Sequence, residues 1–378
     1  MSHESWMQHA INLAKKGLGG VNPNPLVGAV IVKDGRLIGE GYHATYGGPH
    51  AEPMALASCT EDPRDATIYV TLEPCCHHGK TPPCTEAILK SGITTVVIGS
   101  RDPNPKVDGG GITFLRDHGI TVIENILRPA CDTLNAVFFH YIQNKTPYIV
   151  MKYAMTADGK IATRTGASRW ITGETARAHV HQTRNALSAI LVGIGTVLTD
   201  DPILTCRLPE GGRNPVRIIC DSALSIPTES KIVSTAREIP TFIAYNKAAP
   251  ERVRALEDRG CQLLHLPAPD GRVDLQALME HLHSLGIDSI LAEGGGALNY
   301  SLLESSLVNR LQLYLAPKIF GGGTAKGPVG GRGVALPENA FTLGPPTVTP
   351  MGEDLLIEYN LQQEENICSP ASSKKSAP

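Results

Sequence analysis

No apolar run in this 378-residue chain approaches the ~20 residues that a membrane-spanning helix requires, so no such helix is expected. Residues 1–16 lack the basic start and the apolar stretch of a secretory leader. Trp6, Ala10, Leu13 and Ala14 recur there at helical spacing instead. A basic surplus is also missing: 34 Lys and Arg stand against 37 Asp and Glu, for a formal net charge of -3 and a pI of about 6.5. Proteins that hold nucleic acid by phosphate attraction ordinarily show the opposite balance, although a local basic pocket for one phosphate stays open. Nine cysteines, an odd number without an export signal, argue against a disulfide framework. They favour a cytoplasmic setting with metal-bound or free thiols. No internal repeat is present. What is there is ordinary for an α/β protein, 42% hydrophobic and 19% charged, and long enough that two domains are expected.

Along the first third, helix-like and strand-like segments alternate. Residues 4–16 read as a helix. Strands over 26–32 and 37–42 flank Asp34-Gly35, a strong hairpin signal. A helix is expected over 51–58, a strand over 66–72, a helix from Cys84 to about Lys90 behind Pro82-Pro83, and a strand over 94–98. A weaker helix and strand follow to Ile123. Polar residues 143–147 end in proline and mark the expected boundary between a domain over 1–144 and a second over 148–364. Strands expected at 148–154, 189–193, 216–220, 241–245 and 289–292, with helical patterns between several, predict a second α/β domain with a largely parallel sheet. Residues 365–378 turn to Ser, Lys, Ala and Pro and read as a disordered tail.

Three segments carry the first chemistry: Pro49-His50-Ala51-Glu52, Glu73-Pro74-Cys75 and Pro82-Pro83-Cys84. One imidazole and two thiolates suffice to hold Zn²⁺ with its fourth tetrahedral position open, which separates a catalytic from a structural zinc. Glu52, two residues beyond His50, is then free to move a proton. Cys84 at a proline-marked helix start sits where the dipole favours a thiolate. These residues are similar to the zinc-dependent cytidine-deaminase superfamily, H-x-E followed by P-C-x-x-C. The spacing departs from it: Cys84 follows Cys75 by nine positions, and the inserted loop with His77, His78 and Lys80 suggests contact with an anionic group. A closed structural site using Cys76, His77 or His78 is the plainer alternative. The other six cysteines read as buried or incidental thiols.

In the second half, an apolar strand runs through Glu293 into Gly294-Gly295-Gly296 and then a helical pattern. Such a turn brings bare N–H groups to a phosphate. Gly193-Ile194-Gly195-Thr196 is a second, weaker case. Neither completes G-x-G-x-x-G, and a tight turn is the plain reading of each. Lys152, Ser168, Arg184, Asp200, Arg207 and Glu293 are polar residues in apolar context. Arg184 and Arg207 are readable equally as a bidentate phosphate clamp or as solvated charges.

Taken in order, the chain closely resembles the bacterial bifunctional riboflavin-biosynthesis deaminase–reductase family, from about Trp6 to Leu361. The strings that carry this include Asn22-Pro23-Asn24-Pro25, His50-Ala51-Glu52, Thr71-Leu72-Glu73-Pro74-Cys75, Asp102-Pro103-Asn104-Pro105, Lys152-Tyr153-Ala154-Met155-Thr156-Ala157-Asp158-Gly159-Lys160 and Asp200-Asp201-Pro202. The resemblance implies a cytidine-deaminase-like α/β/α domain followed by a dihydrofolate-reductase-like α/β domain, with Zn²⁺ and NADPH as cofactors. It implies a small phosphoribosylamino-pyrimidine substrate, deaminated on the ring and then reduced in the sugar. It further implies zinc on His50, Cys75 and Cys84, proton transfer by Glu52, and substrate contacts from Asn24, His43, His77 and Lys80. In the reductase it implies cofactor contacts from Ala154, Trp170, Thr172, Thr196, Asp200, Ser222, Gly294, Gly295 and Gly296. Substrate contacts there fall on Lys152, Ser168, Arg184, Leu204, Arg207 and Glu293, with Lys152 or Asp200 assisting the proton step. A cytoplasmic homo-oligomer, dimer or tetramer, is expected, without nucleic-acid or membrane partners. The rival readings are a deaminase acting on tRNA or DNA, and a zinc-stabilised binding protein without turnover. The acidic balance and the attached second domain count against the first, and Glu52 beside an open zinc position against the second.

Overall fold

The computed structural model describes residues 1–77, 82–105 and 107–361. Lys80 and the tail expected over 365–378 lie outside the described residues. The N-terminal part comprises α1 (His3–Ala14), β1 (Gly28–Lys33), β2 (Arg36–Tyr42), α2 (Ala51–Ala57), β3 (Thr67–Leu72), α3 (Cys84–Lys90), β4 (Thr95–Ser100), α4 (Gly110–Asp117), β5 (Thr121–Ile123), α5 (Arg128–Leu134) and α6 (Ala136–Asn144). Its sheet runs β2-β1-β3-β4-β5. β1 pairs antiparallel with β2 and β3, whereas β3, β4 and β5 are parallel.

Strand periodicity sets the layers, because successive side chains point to opposite faces. Ala29 and Ile31 of β1, Ile68 and Val70 of β3, and Val96 and Ile98 of β4 pack with Ala51, Ala55, Ile88 and Ile112 of the helices on one face. Val30, Val32, Tyr69 and Val97 point the other way, onto Trp6, Met7 and Ala10 of α1 and Cys131 of α5. The hairpin turns at Asp34 and Gly35, both with positive φ (49° and 74°), as a two-residue loop of this handedness requires. Gly28 is dictated by packing: a Cβ there would collide with the Ala10 carbonyl of α1.

The C-terminal part comprises β6 (Tyr148–Thr156), α7 (Glu174–Ala186), β7 (Ala189–Gly193), α8 (Ile194–Asp200), β8 (Val216–Cys220), α9 (Lys231–Ser234), β9 (Thr241–Tyr245), α10 (Pro250–Glu257), β10 (Gln262–His265), α11 (Leu275–Ser284), β11 (Ser289–Ala292), α12 (Gly296–Glu304), β12 (Val308–Ala316), β13 (Thr347–Met351) and β14 (Asp354–Asn360). The sheet order is β10-β9-β8-β7-β11-β6-β12-β14-β13. Pairing is parallel from β10 to β12, and the β13–β14 hairpin closes that end antiparallel. Ile149, Met151, Ala189, Leu191 and Ile290 pack against α11 and α12. Ile190, Val192 and Ile219 face the opposite side with Val197, Ile232 and Leu256. Parallel pairing brings the carboxyl ends of β7, β8 and β11 to one edge, where ligands of open α/β sheets bind.

The two parts are packed together. Ala136 and Val137 of α6 lie on Tyr148, Val150 and Leu187. Asn22 donates to Asp288 (2.8 Å), whose other oxygen accepts from Ser188 (2.5 Å).

Candidate active sites in the two domains

In the first domain, local structure delivers each residue of the H-x-E and cysteine segments to one cleft. His50 is the N-cap of α2 in extended conformation, and Glu52 lies in the first turn behind it, 3% exposed. Cys84 is the first residue of α3, after the N-cap Pro83, and Cys75 leaves the end of β3. His50 Nδ1 stands 3.3 Å from Cys84 Sγ and 3.6 Å from Cys75 Sγ, and the Cys84 backbone N–H donates to Cys75 Sγ (3.4 Å). The three ligand atoms lie within 4.8 Å of one another. A tetrahedron with zinc–sulfur bonds of ~2.3 Å has edges of roughly 3.7 Å, so this donor set fits zinc in size and chemistry.

Electrostatics in the cleft are strongly perturbed. Hydrogen bonds from Cys84 and His50 bring the Cys75 thiol down to about 4 against the cost of burial. Cys84 is pushed up, because its thiol donates to Cys75 and is buried. Burial, then the charge of Cys75, pushes the Glu52 carboxyl up to about 7. Paired perturbations of this kind mark functional clefts.

The cleft holds about 260 Å³ and is lined by Asn24, His43, Glu52, His77, Asp102 and Asn104 among others. His43 is 2% exposed; its Nδ1–H donates to the Pro49 carbonyl (2.9 Å) and its Nε2 accepts from Asn24 Nδ2 (3.1 Å). Asp102, 8% exposed and pushed up to about 6 by burial, was quoted in a motif but given no role by sequence reasoning. The Asp102-Pro103-Asn104-Pro105 string, close to Asn22-Pro23-Asn24-Pro25 in pattern, is the available signal. Glu73 was missed in the same way. Its buried carboxylate accepts backbone N–H groups from Asp102 (3.4 Å), Gly109 (3.2 Å) and Ile112 (3.1 Å), pinning the cleft wall beside Cys75.

In the second domain the centre is Glu293, at the carboxyl end of β11. Arg184 of α7 grips it with Nε (2.7 Å) and Nη2 (3.0 Å), and Lys152 of β6 approaches at 3.4 Å. Burial opposes the charge on Glu293, but Arg184 and then Lys152 hold its carboxyl down to about 2. Arg184 spends its remaining nitrogen on the Thr205 carbonyl (3.0 Å), so its fork faces Glu293 rather than open solvent. Arg207 reaches the Thr205 hydroxyl (3.3 Å), and the buried Leu204 precedes it with φ 56°.

The glycine turns sit side by side. Gly295 is the N-cap of α12, and a side chain added there would meet nothing within 4 Å, as at Gly195 in the first turn of α8. That open space at the sheet edge suits a phosphate-bearing cofactor against bare backbone. Thr196 and Asp200 lie on α8, and Ser222 follows β8. Trp170, 62% exposed, carries the Arg177 guanidinium 4.7 Å above its ring, and Lys318 donates to the carbonyls of Trp170 (2.9 Å) and Ile171 (2.6 Å). Thr172 is buried, Ala154 packs by Tyr314, and among the described residues no hydrogen bond ties Ser168 to the Glu293 cluster.

A hydrolytic deaminase cleft with a three-ligand metal site, joined to a sheet-edge reductase site, defines the class: a two-domain deaminase–reductase. Residues 1–100 match the cytidine and deoxycytidylate deaminase zinc-binding region, and residues 147–355 match the RibD C-terminal domain. The riboflavin biosynthesis protein RibD of Actinobacillus pleuropneumoniae is 52% identical over 95% of both chains. That of Escherichia coli K12 is 40% identical, over 85% of this chain and 89% of its own. The crystal structure of a diaminohydroxyphosphoribosylaminopyrimidine deaminase/5-amino-6-(5-phosphoribosylamino)uracil reductase from Thermotoga maritima superposes with a TM-score of 0.83 at 41% identity, covering 95% of this chain and 99% of that one. Acinetobacter baumannii RibD gives 0.85 at 34% identity, covering 96% and 99%. The chain belongs to the RibD family. It is a bifunctional enzyme of riboflavin biosynthesis, a zinc-dependent deaminase joined to an NADPH-dependent reductase. Among the described residues, no helix is long and apolar enough to cross a membrane.

Proposed function

We propose that the domain over 1–144 deaminates 2,5-diamino-6-(5-phosphoribosylamino)pyrimidin-4-one, and that the domain over 148–364 then reduces the ribosyl group to a ribityl chain. The observation that carries the first step is the placement of Glu52, buried in the cleft in the first turn of α2, two residues beyond His50. His50, Cys75 and Cys84 hold zinc, which when bound supplies an activated water at neutral pH. Glu52 takes one proton from the attacking water and passes it to the ring nitrogen, then takes the second from the added hydroxyl and passes it to the amino group, which leaves as ammonia. A carboxyl held near neutrality suits both transfers. Asn24 and His43 contact the base and sugar, while His77, and Lys80 by the family resemblance, are the phosphate contacts.

In the reductase, NADPH when bound supplies the hydride. Ala154, Trp170, Thr172, Thr196, Asp200, Ser222 and Gly294 to Gly296 hold the cofactor. Ser168, Arg184, Leu204, Arg207 and Glu293 orient the substrate. Of Lys152 and Asp200, Lys152 is held beside Glu293 (3.4 Å) and is our choice for the proton step. The enzyme acts in the cytoplasm as a homo-oligomer. Glu52→Gln tests the central assignment: zinc content stays at one per chain while ammonia release is lost. Full activity in a zinc-loaded Glu52→Gln enzyme would sink it.

A further inference from the structure

The helix-to-strand loop between α8 and β8, which carries Arg207, is tied to α7, and three of its ties lie at or beside Arg207. Arg184 Nη1 donates to the Thr205 carbonyl (3.0 Å), Cys206 Sγ donates to the His181 carbonyl (3.5 Å), and the Arg207 backbone N–H donates to His181 Nδ1 (3.3 Å). His181 and Arg184 are three residues apart on one helix and therefore share a face. One turn of α7 thus sets both arginines: Arg184 by its own side chain, Arg207 through the imidazole. No motif singled out His181.

We propose that His181 is a positioning residue of the reductase, a neutral hydrogen-bond acceptor that fixes the Arg207 backbone beside Arg184 and so shapes the site for the anionic substrate. This rests on the reading of Arg184 and Arg207 as substrate contacts. Accepting from a backbone N–H requires the neutral ring with its proton on Nε2, and Nε2 has no acceptor among the described residues. The surroundings enforce that state. Burial, then Arg184 from α7 and Arg207 from the loop, with Lys152 of β6, drive the imidazole down to about 4; Glu293 alone pulls the other way. Cys206, the remaining titratable neighbour, meets it only through the His181 carbonyl. A histidine acting instead as a cationic phosphate ligand would need the opposite balance.

The test compares His181→Leu, His181→Gln and Arg207→Ala in the full-length enzyme. The deaminated phosphoribosylamino-uracil is the varied substrate, and NADPH dissociation is measured by fluorescence quenching. Loss of one such hydrogen bond predicts a KM raised roughly 3- to 10-fold in His181→Leu, with kcat within about twofold and NADPH binding unchanged. The Gln carbonyl accepts the same N–H, so His181→Gln stays within about twofold of wild type, and the ratio of variant to wild-type KM is constant from about pH 6 to 8. Retained NADPH binding reports that the reductase domain of each variant is folded, and ammonia release reports the same of the other domain. An unchanged KM in His181→Leu overturns the proposal, as does His181→Gln failing like Leu with a ratio that varies with pH, which would mean that charge matters. If Arg207→Ala also leaves KM unchanged, the reading of Arg207 itself falls. If only Arg207→Ala raises KM, that reading stands and the role of His181 alone is refuted.

Discussion

Replacing Glu293 by Gln removes the charge at the centre of the reductase while keeping its shape. The side chains of Glu293, Arg184 and Lys152 are 12%, 11% and 16% exposed, so two cations would be left largely buried without their anion. Breaking a buried pair by removing one partner costs about 3–5 kcal/mol. The carboxyl gives a second route to the figure. It is held at about 2 against an ordinary 4.5, and that difference corresponds to about 3 kcal/mol. The sign follows from the depressed value. This stabilisation is fully present above pH 4.5 and is lost as pH falls from 4.5 towards 2, where the unfolded chain binds the proton first. The assay is urea unfolding of wild type and Glu293→Gln at pH 7 and pH 4. Tryptophan fluorescence in a Trp6→Phe background, where Trp170 alone remains, follows the reductase, and ammonia release checks the other domain, because two domains need not unfold as one. We expect Glu293→Gln to lose about 3 kcal/mol at pH 7, or roughly 6–12 °C in the melting temperature of a domain this size, with a smaller difference at pH 4. A difference below about 1 kcal/mol at pH 7 would refute the reasoning that these charges depend on one another.

Arg217 is fully buried and has no carboxylate partner among the described residues, donating instead to Thr241 and Thr235 hydroxyls and to the Ile203, Ile232 and Ile239 carbonyls. Arg217→Met should destabilise the reductase domain by at least about 3 kcal/mol, read by urea unfolding, since those acceptors lose their donors; a variant as stable as wild type would contradict this. His140 accepts from Asn309 Nδ2 through Nδ1 (3.1 Å), and Asn309 cannot turn round because its Oδ1 accepts from Ile149 (2.7 Å). Burial holds His140 down to about 4, so protein stability should decline as pH falls from 6.5 to 4, by at most about 3 kcal/mol. The decline should be shallower in His140→Gln, and parallel pH profiles would count against it. Glu52→Gln should lower ammonia release at least about 100-fold with zinc retained by elemental analysis.

Much of the first site was legible because its chemistry is local. His50 and Glu52 are two residues apart, Pro83 announces the helix that starts at Cys84, and Asp34-Gly35 announces its hairpin. The parallel core of the second sheet was legible for a related reason: strands such as Ala189–Gly193 and Val216–Cys220 are short apolar runs between turns. Other features have no local signature. Arg184 and Glu293 are 109 residues apart, and from spacing alone Arg184 is equally a surface charge. Helices α5 and α6 are not anticipated, because 7 and 9 residues are too few for a clear helical period. Residues 143–147 are read as a boundary; α6 ends at Asn144 and β6 begins at Tyr148, and the packing of Ala136 and Val137 on Tyr148 and Val150 across that segment has no local signature. The closing hairpin of β13 and β14 was unplaced, because its position depends on pairing with β12 across the intervening chain.

The most direct test supplies the diaminopyrimidinone phosphoribosyl substrate and follows ammonia release and NADPH oxidation separately on the zinc-loaded enzyme. Ammonia should appear at the same rate with or without NADPH, and NADPH should be consumed only after deaminated product has formed. Glu52→Gln should abolish both signals, and added deaminated product should restore NADPH oxidation alone. NADPH consumption by Glu52→Gln without that addition, or an absence of ammonia from folded, zinc-loaded wild type, would contradict the two-site account.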